Sequence, residues 1–216
     1  MNQVTLDQTI GEFYGQRDRH PDSRYRSWEY CYGFFRQHRT DLLGVQDDAA
    51  LQLGFYLASW GMYRGSAALL QRAYTAHMPA IHVLASPRFS NLWCDVGARD
   101  GDVELGPSIM ALVASVTDAY EGFVPTDTLV TKILLGTVGC LPARDRFFEK
   151  GVKDQGFVYG GLNRGFVDRM IGFCIENRPK LTEWQHQIID LGGPYYTFMK
   201  LVDMHFWQIG FDREFM

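Results

Sequence analysis

Two stretches of the chain hold residue types at spacings suited to chemistry. In Gly139-Cys-Leu-Pro142-Ala-Arg144-Asp145-Arg146-Phe-Phe148, an apolar helical pattern ends at a glycine, a proline starts a turn, and Asp145 stands where the next helix begins. A carboxylate at a helix N-terminus stays ionised, because the unpaired backbone N–H groups and the helix dipole favour its charge. In Arg72-Ala-Tyr-Thr-Ala-His77, a permanent cation and a proton carrier stand near one another at a helix end. Other possibilities fall away on spacing. The six histidines and the four cysteines, Cys31, Cys94, Cys140 and Cys174, form no H-E-x-x-H, no C-x-x-C and no dense acid–histidine cluster, so no metal site is expected. Gly136-Thr-Val-Gly139 and Gly160-Gly161-Leu-Asn-Arg-Gly165 follow no expected strand and lack the Gly-Lys-Ser/Thr ending of a phosphate loop. They are not nucleotide motifs, no cofactor is expected, and Gly136 and Gly139 read as a helix end.

The stretch Thr126–Lys153 resembles the helix-hairpin-helix DNA glycosylases, in which an apolar helix, a proline-bearing turn and a catalytic Asp follow one another. That resemblance implies an all-α fold, DNA as the partner, and Asp145 as the residue that stabilises an oxocarbenium-like sugar while a flipped-out base departs. Arg144, Arg146, Lys150 and Lys153 would then contact phosphates. Where the family carries a glycine-bearing hairpin turn, this chain reads Phe123-Val124-Pro125-Thr126-Asp127. The Arg72–His77 spacing is similar to that of HEPN ribonucleases, which implies RNA cleavage across a dimer, with His77 moving the 2′-hydroxyl proton and Arg72 stabilising the phosphorane. Leu57–Leu70 and Thr131–Phe148 also resemble segments of a widespread set of uncharacterised bacterial proteins. A catalytically silent interaction module is the alternative to both enzymes.

Charge does not force a nucleic-acid reading. The 216 residues carry a net charge of -4, although Lys132–Lys180 holds nine bases against five acids and Asp95–Asp127 holds seven acids against one base. Arginine outnumbers lysine 16 to 5, a bias that suits either phosphate binding or a salt-bridged surface. The polar N-terminus lacks the apolar core of a signal peptide, no apolar run reaches the ~18 residues of a membrane span, and the scattered cysteines read as buried free thiols. These features together suggest a cytoplasmic, reduced setting with no membrane partner.

Helical periodicity dominates the elements that must position these residues. Arg26–Arg39 places Trp28, Cys31, Tyr32 and Phe35 on one face, and Pro107–Glu121, Thr126–Val138 and Asn163–Glu176 show the same register. Asp47–Tyr63 is apolar nearly all round and is expected at the centre of the bundle. Ser66–His77 reads as a helix stopped or kinked at Pro79, and the last helix opens at Pro194. His205 falls on the apolar stripe of that last helix and is expected to be a satisfied core histidine. The whole is read as one all-α domain, residues 1–216, an irregular bundle of eight to ten helices. Any β-hairpin is confined to Leu92–Leu105 or Gly156–Gly161. The expected core includes Phe55, Leu57, Trp60, Leu112, Val116, Ile133, Val167, Met170, Leu201 and Phe206.

Overall fold

A computed structural model describes residues 4–20, 22–157 and 160–215. Ten α-helices run through them: α1 Leu6–Arg17, α2 Ser27–His38, α3 Gln46–Ser59, α4 Met78–Leu84, α5 Gly106–Asp118, α6 Asp127–Gly136, α7 Arg146–Asp154, α8 Arg164–Glu176, α9 Arg178–Asp190 and α10 Phe198–Phe215. Short 3₁₀ turns fill several connections, and no strand occurs among the described residues. The stretch at Leu92–Leu105 forms 3₁₀ turns rather than a hairpin; of Gly156–Gly161, Val158 and Tyr159 lie outside the described residues.

Helix starts follow local chemistry. Thr5, Thr126, Asp145 and Asn163 each cap a helix with a side-chain oxygen that accepts from a backbone N–H two or three residues on. Pro79 acts in the opposite sense to the expectation. It occupies the first turn of α4, where a missing N–H costs nothing, and the chain before it (residues 66–77) makes only two 3₁₀ turns.

The central helix is α10, not α3. Every residue from Phe198 to Gly210 is buried, whereas α3 turns Leu51 and Phe55 outward, Phe55 being 69% exposed. Polar residues on α10 hid this in the sequence, and each has an internal partner: Lys200 with Asp203, His205 with Thr9, Gln208 with Asp212. Trp60 is only half-buried, while the other eight expected core residues are enclosed. The buried apolar side chains form one continuous cluster that runs from Ile10 to Ile209.

The tightest packing is between α7 and α10. A Cβ built on Gly151 would lie 1.9 Å from the carbonyl oxygen of Phe206, and one on Gly210 would lie 1.8 Å from that of Phe147. Glycine at both positions lets the two backbones touch. This contact fixes α7, and hence its capping residue Asp145, against the most buried element of the fold.

Candidate functional site

The connection from α6 to α7 is pinned at several points. Arg144 N–H donates to Thr131 Oγ1 (2.8 Å), Thr128 Oγ1 donates to the Arg144 carbonyl (2.8 Å), and Ala143 N–H donates to Asp203 Oδ1 on α10 (3.0 Å). Asp145 is thereby held with its side chain folded over the start of α7. Its Oδ1 accepts from Phe147 N–H and Phe148 N–H, both at 3.1 Å, and its Oδ2 accepts from Lys132 Nζ at 3.0 Å. Two N–H groups at a helix N-terminus and an ammonium thus hold both of its oxygens in place.

Lys132 is buried, with its ammonium 5.2 Å from the centre of the Trp60 ring. A second buried pair lies behind the first. Lys200 Nζ donates to Asp203 Oδ2 at 2.8 Å and stands 5.9 Å from the Trp60 ring, 5.5 Å from Trp28 and 4.6 Å from Phe13. Buried charges persist only when paired, so one enclosed pair and one partly open pair (Asp145 keeps 17% of its side chain exposed) sharing one tryptophan mark a costly arrangement. Aromatic faces around ammonium groups recover part of that cost.

Asp145 and Lys132 open onto a cavity of about 130 Å³. Its walls are aromatic: Trp60, Phe147 and Trp207, with Phe147 edge-on to Trp207 at 5.2 Å and Trp60 edge-on to Trp207 at 6.1 Å. The indole nitrogen of Trp207 is buried with no acceptor among the described residues. Its rim is cationic. Arg24 lies over Trp60 at 5.1 Å, Arg146 lies over Phe147 at 4.4 Å, and Arg64 completes the set. Arg146 faces Glu214 at 3.5 Å, whereas Arg24 and Arg64 meet no carboxylate among the described residues.

Of the residues singled out in the sequence, Asp145 and Arg146 line this cavity. Arg144 does not act as a phosphate contact: it is 2% exposed, and its guanidinium holds Asp127 (2.7 Å), Glu149 (3.6 Å) and the Gly160 carbonyl (3.0 Å). It ties α6, α7 and the 160s loop together. Lys150 reaches the end of α10 through Glu214 and the Arg213 carbonyl, both at 3.0 Å, and Lys153 is exposed further along α7. Most of the Lys132–Lys180 bases are engaged with acids in this way, Arg178 on Asp100 and Arg164 on Asp168 among them. The salt-bridged reading of the arginine excess therefore describes that tract better than a phosphate-binding one.

Arg72 and His77 do not share a groove. Arg72 is exposed and lies over Phe123 at 4.9 Å, while His77 has no exposure at all. The two His77 ring nitrogens are each 2.7 Å from a tyrosine hydroxyl, of Tyr63 and of Tyr120. Burial lowers the His77 pKa to about 4, so the ring is neutral and enclosed, with no face for an RNA phosphate.

Sequence reasoning missed Lys132, Trp60, Trp207, Arg24 and Arg64. One signal was present. Leu57–Leu70 supplies Trp60, Met62 and Arg64, and Thr131–Phe148 supplies Lys132, Asp145, Arg146 and Phe147, so these two strings meet at one cavity. Among the described residues, no group of three His, Cys, Asp or Glu side chains is placed to hold a metal, and no helix is long and apolar enough to cross a membrane. No protein-family model, curated protein or solved structure matches the chain.

Proposed function

We propose that this chain binds DNA at the Asp145 cavity and cleaves the glycosidic bond of an extruded nucleotide. The observation that carries the reading is a carboxylate, held in place by Lys132 and a helix N-terminus, that lines an aromatic cavity together with three arginines. Arg24, Arg64 and Arg146 suit phosphates on either side of the extruded nucleotide. Trp60, Trp207 and Phe147 offer faces and edges for a base. A dry cavity of about 150 Å³ is known to hold benzene. The space here, about 130 Å³, therefore suits one six-membered ring and not a whole nucleotide.

The chemistry follows from what Asp145 has left to offer. Its oxygens are committed to two N–H groups and an ammonium, so it acts by its field and not as a nucleophile. As the C1′–N bond breaks, its electron pair leaves with the base and positive charge develops on C1′ and O4′. A preorganised carboxylate stabilises that charge. Water then adds to C1′ and loses a proton to solvent, and the departing base anion takes one up from solvent. Asp145→Asn retains the cap and removes the charge. The variant strands the buried Lys132 ammonium and is expected to lose roughly 3–5 kcal/mol of stability. Under conditions where its unfolding curve shows it folded, it should still bind duplex DNA but release bases from a panel of modified duplexes at least about 100-fold more slowly, the scale of losing one electrostatic contact. Equal base release by both proteins would refute the role of Asp145.

One observation favours a second reading, a non-catalytic interaction module. The α2–α3 face exposes Tyr30 (62%), Leu51 (46%) and Phe55 (69%) around a shallow groove. A wild type that leaves every duplex intact while this face binds another protein would favour that module.

A further inference from the structure

A second cavity, of about 380 Å³, lies where the start of α1, the end of α8 and the chain after α7 meet the middle of α10. That volume falls within the range of small-molecule sites, roughly 300–1,000 Å³. Phe157, Phe173 and Phe206 form its apolar wall, packed on one another at 5.1–6.1 Å between ring centres. Its polar groups are few: His205, Asn177, Gln155 and Thr5. No charged side chain occurs among its described lining residues.

His205 is the feature that points to a ligand. It is 4% exposed, and its Nδ1 lies 2.7 Å from Thr9 Oγ1. The Thr9 hydroxyl is also 3.2 Å from the carbonyls of Thr5 and Leu6, which can only accept. We therefore assign the single hydroxyl proton to those carbonyls and the imidazole proton to Nδ1, which leaves a lone pair on Nε2. That nitrogen has no partner among the described residues and is not among the fully enclosed unpartnered atoms, and His205 lines the cavity. Asn177 adds a second acceptor in its Oδ1, with one of its two amide N–H groups donated to the Phe173 carbonyl at 2.9 Å. Burial holds the His205 pKa down at about 4, so the ring is an acceptor throughout the neutral range.

We propose that this cavity binds a small, flat, uncharged molecule that donates a hydrogen bond to His205 Nε2. A charged ligand is disfavoured because no described lining residue compensates it, and desolvating an unpaired ion is costly. Flatness follows from the phenylalanine wall, which offers edges and faces to a ring. The site shares α10 with the Asp145 cavity but none of its lining residues, and it stands or falls independently of the glycosidase reading.

Phenol, toluene and benzoate are the probes, titrated into the full chain with the histidine ¹⁵N resonances and heat of binding as readouts. Toluene leaves water more readily than phenol, so a merely apolar cavity would prefer toluene. The proposal expects phenol to bind about tenfold more tightly than toluene, the value of one hydrogen bond to a buried unpaired nitrogen. Phenol should move the Nε2 resonance upfield, toluene should not, and benzoate should not bind. His205→Phe should reverse the order of phenol and toluene, and Phe173→Ala should weaken both while keeping it. The wild-type Nε2 measurement decides the matter even where a variant does not fold. Toluene equal to phenol, an unmoved Nε2 resonance, or benzoate binding as well as phenol would overturn the proposal.

Discussion

Gly151→Ala links the packing of this fold to its candidate site. The added Cβ would sit 1.9 Å from the Phe206 carbonyl oxygen, where ordinary van der Waals contact begins near 3.4 Å. Relieving the clash requires α7 and α10 to part by about 1.5 Å, the difference between the two distances, because the obstacle is backbone and cannot rotate away. Overpacking of this kind costs roughly 3 kcal/mol, and replacing a mid-helix glycine by alanine returns up to about 1 kcal/mol. The net loss is about 2 kcal/mol, or a fall in Tm of roughly 4–8 °C for a chain of this size. Gly172 in α8 is the internal control. Nothing lies within 4 Å of a Cβ built there, so Gly172→Ala should stabilise by roughly 0.5–1 kcal/mol. Urea and thermal unfolding of the two variants should give opposite signs. Unchanged or increased stability in Gly151→Ala would refute the close α7–α10 contact, and with it the argument that this contact fixes Asp145.

Two further outcomes follow from burial. His77 and His205 have pKa values lowered by burial from 6.5 to about 4, so below pH 6.5 the unfolded chain takes up protons that the fold refuses. Stability is complete above pH 6.5, falls as pH drops, and stops falling below about 4. Between pH 7 and 5 the loss should be roughly 2 kcal/mol per histidine, read from urea unfolding, and a flat profile would mean that these rings are hydrated. Trp60→Ala should cost clearly less stability than Phe206→Ala, for which roughly 3–5 kcal/mol is expected, because Trp60 is half-buried in the cavity wall and Phe206 is enclosed. Equal losses would place Trp60 in the core instead.

Local signals were legible where the chain's own chemistry sets them. Thr126, Asp145 and Asn163 could be read as helix caps from residue type alone, and each makes the capping bond. What depends on long-range partners could not be read. Lys200, Asp203, His205 and Gln208 interrupt the apolar run of α10, so the most buried element looked less central than α3, whose Phe55 faces outward. Trp60 and Trp207 stand in apolar runs and resemble core residues, and only tertiary packing turns them toward Asp145. Lys132 resembles a surface lysine within α6 until the loop after that helix brings Asp145 back to it, thirteen positions on. Conversely, Arg144 is flanked by proline, alanine and aspartate like a surface turn residue, yet three acceptors draw it inside.

The most direct test of the central claim is the salt dependence of DNA binding. Affinity for a single-stranded or mismatched duplex oligonucleotide should be followed by fluorescence anisotropy from low to physiological salt. The account predicts a linear fall of log K with log salt for the wild type, with the slope reduced by about one unit each in Arg24→Ala and Arg64→Ala. Lys153→Ala, remote from the cavity, should leave the slope unchanged. Absence of salt-dependent binding, or a slope that responds to Lys153 and not to Arg24 and Arg64, would contradict DNA recognition at the Asp145 cavity.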